Sequence, residues 1–104
     1  MAIVLLHLTG PNGEVRLGEE FILSLKIGRG AGPAGSSGEV SLMSGDPTYL
    51  LTPATASVEI PAGSHTAVTR VAVILVGPPV AENTVIAIDG FAEEAHSTVV
   101  TVVG

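Results

Sequence analysis

The sequence predicts an all-β fold, a sandwich or barrel of short strands, and three features predict it. Apolar residues alternate with a period of two and nowhere sustain the three-to-four spacing of an amphipathic helix. Glycine, proline or asparagine punctuates the chain about every ten residues, the rhythm of short strands joined by turns. Val, Thr and Ile crowd the second half, and branched side chains pack well on a pleated surface but are stiff in a helix.

Ala2 to Thr9 opens the chain as a strand that is apolar on both sides. Ile3 and Leu5 oppose Val4, Leu6 and Leu8, so both faces are expected to meet protein. Gly10-Pro11-Asn12-Gly13 then signals a turn, because Pro11 fixes its own φ and Asn12 and Gly13 tolerate positive φ. Val15 to Leu17 is a short strand. Glu20 to Ile27 alternates most cleanly: Phe21, Leu23, Leu25 and Ile27 point to a core, and Glu20, Ile22, Ser24 and Lys26 point away from it. Gly28 to Gly38, GRGAGPAGSSG, has little side chain to bury and is expected to form a long flexible loop. Glu39 to Met43, Thr48 to Thr52, Ala56 to Ile60, Thr66 to Val76, Thr84 to Ile88 and Thr98 to Val103 complete the strands. Glu93-Glu94-Ala95-His96 is too short to stand as a helix and reads as a turn or bulge.

At 104 residues the chain is expected to be one domain, residues 1–104, with a single core. Hydrophobic residues make up 46% and charged residues 13%, far from the composition of disordered chains. Ten acidic residues against four basic ones give a net charge of −6, which repels polyanions, so no nucleic-acid partner is expected. Cysteine is absent, which removes disulfides, thiolate zinc sites and cysteine nucleophiles. The apolar stretch Ala2 to Leu6 has no basic flank and is too short for a secretory leader, so none is expected. Val71 to Ala81 is broken by Gly77, Pro78 and Pro79, well below the roughly 18 residues of a membrane span, and no membrane partner is expected.

The run Leu51-Thr52-Pro53-Ala54-Thr55-Ala56-Ser57-Val58-Glu59-Ile60-Pro61-Ala62-Gly63-Ser64-His65-Thr66-Ala67 is followed by alternating Thr69, Val71 and Val73. It resembles a pattern of bacterial and phage immunoglobulin-like domains, in which a strand ends in V-x-I-P-A-G and the next begins after the turn. Thr84 to Gly90 and Ser97 to Val103 resemble that family's last hairpin. The resemblance implies an immunoglobulin-like antiparallel β-sandwich of about seven to nine strands. The motif has a physical basis in a tight corner: Pro61 stops the strand, Gly63 supplies an unusual backbone angle, and Ser64 can bond to the turned chain. The antibody-type core is excluded, since there is no tryptophan and no cysteine pair.

Motifs of chemistry are sparse. His7, His65 and His96 show no spacing that puts two on one face, and zinc needs three or four converging ligands. Asp89-Gly90 with Glu93-Glu94 places carboxylates near one expected loop, but not in the pattern of an EF-hand. Ser24, Ser41, Ser44 and Ser57 lack a nucleophile elbow. The glycine loop lacks both the lysine of a phosphate-binding loop and a following helix. Phe21, Tyr49 and Phe91 are too few aromatics for a sugar-stacking platform. The expectation is therefore a non-enzymatic protein with no cofactor, no metal and no small-molecule substrate.

One lysine and three arginines leave little charge to guard strand edges. Either the domain's own sheets cover the apolar strands on both sides, or a partner does. The candidate protein interface is Ile3, Val4, Leu5, Leu6 and Leu8 of the first strand, Arg29 of the loop, and Val68, Ile74 and Val76, which face away from Thr69, Val71 and Val73. Taken with the family resemblance, these residues suggest a small structural protein of a bacteriophage virion, a capsid decoration (head accessory) protein. Its partner would be the capsid shell or further copies of itself. The alternative is an immunoglobulin-like repeat of a bacterial cell-surface protein or adhesin.

Overall fold

The computed structural model describes residues 3–29 and 36–103, and every regular element among them is a β-strand. In chain order they are β1 (Ile3–Thr9), β2 (Glu14–Arg16), β3 (Glu20–Arg29), β4 (Ser36–Ser44), β5 (Leu50–Thr52), β6 (Thr55–Ile60), β7 (Thr66–Val76), β8 (Thr84–Ala92) and β9 (Glu94–Val103). They form two sheets. The front sheet has four strands in the order β1-β3-β7-β5, and the back sheet has five in the order β2-β9-β8-β4-β6. All pairings are antiparallel except that of β2 with β9, where Glu14 lies opposite Thr101 and Arg16 opposite Val103.

The period of two does the sorting. Phe21, Leu23, Leu25 and Ile27 of β3 and Val73 and Leu75 of β7 point inward from the front sheet. Val40 and Leu42 of β4, Val58 and Ile60 of β6, Ile86 and Ile88 of β8, and Val100 and Val102 of β9 meet them from the back sheet in one buried cluster. The product is a two-sheet β-sandwich with a single core.

The first strand departs from strict alternation. Its register with β3 shifts between Leu5 and His7: Leu5 pairs with Ile27, His7 with Lys26 and Leu8 with Leu25. Such a bulge inserts one residue and turns the rest of the strand to the other face. Leu8 thereby joins Ile3 and Leu5 in the core, all three almost fully buried. The expectation that this strand offers Ile3, Leu5 and Leu8 to a partner is corrected, because β3 and the back sheet already cover them.

The segment after β1 crosses between sheets. Gly10 to Gly13 carries the chain from β1 in the front sheet to β2 in the back sheet without a positive φ at Asn12 or Gly13. Two other turns work as their residues suggest. In the β6–β7 corner Gly63 has φ 88° and the Ser64 N–H donates to the Pro61 carbonyl at 3.1 Å. After β4, the Asp46 N–H donates to Ser44 Oγ at 3.2 Å, the Ser44 hydroxyl to the Asp46 carbonyl at 3.0 Å, and the Thr48 N–H to Asp46 Oδ1 at 2.9 Å.

Several boundaries move. β3 runs through Gly28 to Arg29 and β4 starts at Ser36, so both ends of the expected glycine loop are strand, and its middle lies outside the described residues. β8 continues past Ile88 to Ala92, and the reversal is confined to Glu93, which takes φ 65° between Ala92 and Glu94. Asp89 and Gly90 are strand residues, held opposite Ser97 and His96.

Candidate functional site

Each sheet has an outer face, and the register decides what it carries. On the front sheet Lys26 lies opposite Val68, Ser24 opposite Arg70, Ile22 opposite Ala72, Glu20 opposite Ile74, and Leu50 opposite Val76. Leu50 and Val76 are 68% and 50% exposed, and with Ile22, Ala72 and the half-buried Ile74 they form an apolar field at one end of this face. Val68, at 65%, and Leu6, at 39%, form a smaller one at the other end. Leu6 lies against the backbone of Gly28, where a Cβ would come within 2.9 Å of Leu6 Cδ1. Ser24 and Arg70 stand between the two fields, and Lys26 lies beside Val68 in the smaller one.

The back sheet exposes Met43 on β4, Val85 and Phe91 on β8, and Val99 on β9. A hollow of about 430 Å³ is lined by Ser41, Leu42, Met43, Asp89, Gly90, Phe91 and Ala95. Met43 also lines a second hollow of about 340 Å³ that reaches Pro47, Tyr49 and Leu50 at the sandwich edge. Around this apolar strip stand Glu39, Glu59, Asp89 and Glu14, with Arg16 the only cation whose side chain joins them among the described residues. The Ser97 hydroxyl donates to Asp89 Oδ1.

The structure places Val4, Leu6, Val68, Ile74 and Val76 on the front face, with Leu6 and Val68 in the smaller field and Ile74 and Val76 in the larger one at the opposite end. It leaves Ile3, Leu5 and Leu8 in the core. Arg29 ends β3 opposite Ile3, and its side chain lies outside the described residues. Ile22, Leu50 and Ala72, not among the candidates, widen the front field. Ile22 is readable from the alternation of β3. Leu50 becomes an outer-face residue only through the pairing of β5 with β7, which no local pattern encodes.

The carboxylate group near Asp89 does not assemble as a loop. Asp89 sits within β8 and bonds Ser97, while Glu94 lies 3.9 Å from His96 Nε2 at the hairpin end. His96 Nε2 is itself buried without a hydrogen-bond partner. His7 lies on the outer face of β1, and His65 in the β6–β7 corner. Among the described residues no three of His, Asp and Glu converge to hold a metal ion, and no helix is long and apolar enough to cross a membrane.

No protein-family model matches this chain, and no curated protein and no solved structure gives a significant match.

Proposed function

We propose that this chain is a non-enzymatic, immunoglobulin-like docking module whose front face seats it on the capsid shell of a phage as a decoration protein. The fold part of this reading is supported by strand order. In the immunoglobulin arrangement strands A, B, E and D share one sheet and C, F and G the other, with extra strands beside C. The front sheet's β1, β3, β7 and β5 correspond to A, B, E and D. β4, β8 and β9 correspond to C, F and G, and β6 extends the sheet beside C. There is one departure: β5, in the D position, precedes β6 in the chain, whereas D follows the strands beside C. The corner Val58-Glu59-Ile60-Pro61-Ala62-Gly63, which carried the family resemblance, joins β6 to β7.

The docking part rests on one observation, the apolar field of Ile22, Leu50, Ala72, Ile74 and Val76 on the outer face of the front sheet. Contiguous exposed apolar surface of this kind marks contact sites in soluble proteins. Many copies on symmetry-related sites would add weak contacts into firm attachment. The test is to purify virions, measure the intact mass and copy number of the chain, and compare binding of wild type and Leu50→Glu/Val76→Glu to stripped shells. The reading expects a mass near 10.4 kDa at many copies per particle and at least about tenfold weaker binding by the variant. Equal binding by both proteins would remove the front face from the reading.

A second reading, a repeat within a bacterial surface protein, is favoured by one feature. Ile3 lies at the end of the sandwich that holds Phe91 to Glu93, and Val103 lies at the opposite end, beside Arg16 and next to the Val102–Thr84 pair. Tandem domains in a string need that polarity. A natural protein far heavier than 10.4 kDa containing this sequence would decide for it.

A further inference from the structure

We infer that copies of this chain stack front to back, the outer face of one copy's front sheet lying on the outer face of the next copy's back sheet. Charge is the first ground. Lys26 and Arg70 are diagonal neighbours on the front face, where Glu20 is the one carboxylate among the described strand residues. Glu39 and Glu59 are diagonal neighbours on the back face, which also carries Asp89 and Glu14 against Arg16. Among the described residues the one ion pair is Glu94 with His96, so Lys26, Arg70, Glu39 and Glu59 meet no opposite charge among those residues. The faces thus have opposite net sign, and a back face laid on a back face would set carboxylates against each other.

Spacing is the second ground. Ile22 lies four residues from Lys26 along β3 and Ile74 four from Arg70 along β7. On the back face Met43 lies four residues from Glu39 along β4. At about 3.3 Å per residue, each charged pair stands about 13 Å from its apolar field. The direction is also shared, from the end that holds Ile3 and Ser37 toward the other. A copy in the same orientation therefore places Lys26 and Arg70 over Glu39 and Glu59 while its front apolar field covers Met43 and Phe91. The broad side of the molecule, 48 × 22 Å, has room for the roughly 800 Å² per partner of a standard interface. Copies that share one orientation are related by translation, so this contact between two different faces does not close into a ring and the product is an open stack.

The stack goes beyond the docking reading and is tested without any particle, so the failure of either is visible separately. Purified chain is examined by sedimentation equilibrium over a concentration series at low and high salt, with circular dichroism confirming folded variants. Wild type should form a mass series that grows with concentration and shrinks with salt. Lys26→Glu/Arg70→Glu and Glu39→Lys/Glu59→Lys should each associate at least about tenfold more weakly, and an equimolar mixture should restore the series, since the reversed faces then complement each other. A wild type that stays monomeric up to about 1 mM, a fixed dimer that grows no further, or a mixture no better than its components would overturn the inference.

Discussion

Gly77→Ala tests the packing at the edge of the sandwich more severely than its size suggests. Gly77 comes directly after β7, and the Tyr49 ring lies on its backbone: a Cβ there would stand 2.2 Å from Tyr49 Cδ1 and 2.7 Å from Cε1. Carbon atoms in contact prefer about 3.5–4.0 Å, so the ring must retreat by more than about 1 Å. It has little freedom to do so. Tyr49 is buried beside Leu51, and its N–H is tied to the Asp46 carbonyl at 3.0 Å in the turn that Ser44 and Asp46 organise. Overpacking of this kind costs about 1–3 kcal/mol, against a gain of about 0.4–1 kcal/mol from the stiffer unfolded chain. The net expectation is a loss of about 1–2 kcal/mol, or a midpoint lower by about 4–16 °C for a domain of this size. Urea unfolding read by far-ultraviolet circular dichroism is the assay, because it follows the strands whether or not Tyr49, the sole tyrosine, is present. In a Tyr49→Ala background the obstructing ring is gone, and Gly77→Ala should then be neutral or slightly stabilising. A loss below about 0.5 kcal/mol in the wild type, or an equal loss in both backgrounds, would refute the contact as the cause.

Three further outcomes are expected. Leu8→Ala should cost about 2–5 kcal/mol in chemical denaturation, because the bulge turns Leu8 into the core, while Leu6→Ala, two residues away on the outer face, should cost under about 1 kcal/mol; similar losses would place the bulge wrongly. Gly63→Ala should lower stability by about 1 kcal/mol in thermal unfolding, since its φ of 88° is strained for any residue with a Cβ even though the space around it is open. Asp46→Ala removes the acceptor of the Thr48 N–H and should cost about 0.5–1.5 kcal/mol, with faster amide exchange at Thr48 as the local sign.

The interior of strands that alternate without interruption is legible in the sequence. β7 emerges with its observed bounds, Thr66–Val76, so Val68, Ile74 and Val76 can be assigned to the outer face. β1 does not, because a bulge leaves no mark in a run where nearly every residue is apolar, and simple alternation sets Leu8 on the wrong side. The end of β8 is hidden for a different reason. Asp89 and Gly90 read as punctuation, yet Gly90 is a strand residue whose missing side chain makes room for the core: a Cβ would stand 3.0 Å from Leu5 Cδ2 and 3.3 Å from Leu8 Cδ2. Closing the strand early at Ile88 in turn hides Phe91 from the back face. Which strands become neighbours across the two sheets depends on contacts far apart in the chain, and alternation within a strand carries no information about them.

The parallel pairing of β2 with β9 also governs when this molecule can become complete. Glu14 waits for Thr101, and β1 packs against β8 and β9 as well as β3. On a chain emerging from the ribosome, β3 can begin to pair with β7 and β4 with β6 while β2 still lacks its neighbour in the back sheet, β9. Contacts so distant in sequence impose a large loop-closure cost before they return any stabilisation, which makes this topology slow to finish folding. Until β9 has been made, the apolar strands near the start of the chain stand exposed, and that interval is when misassembly between nascent copies has its opportunity.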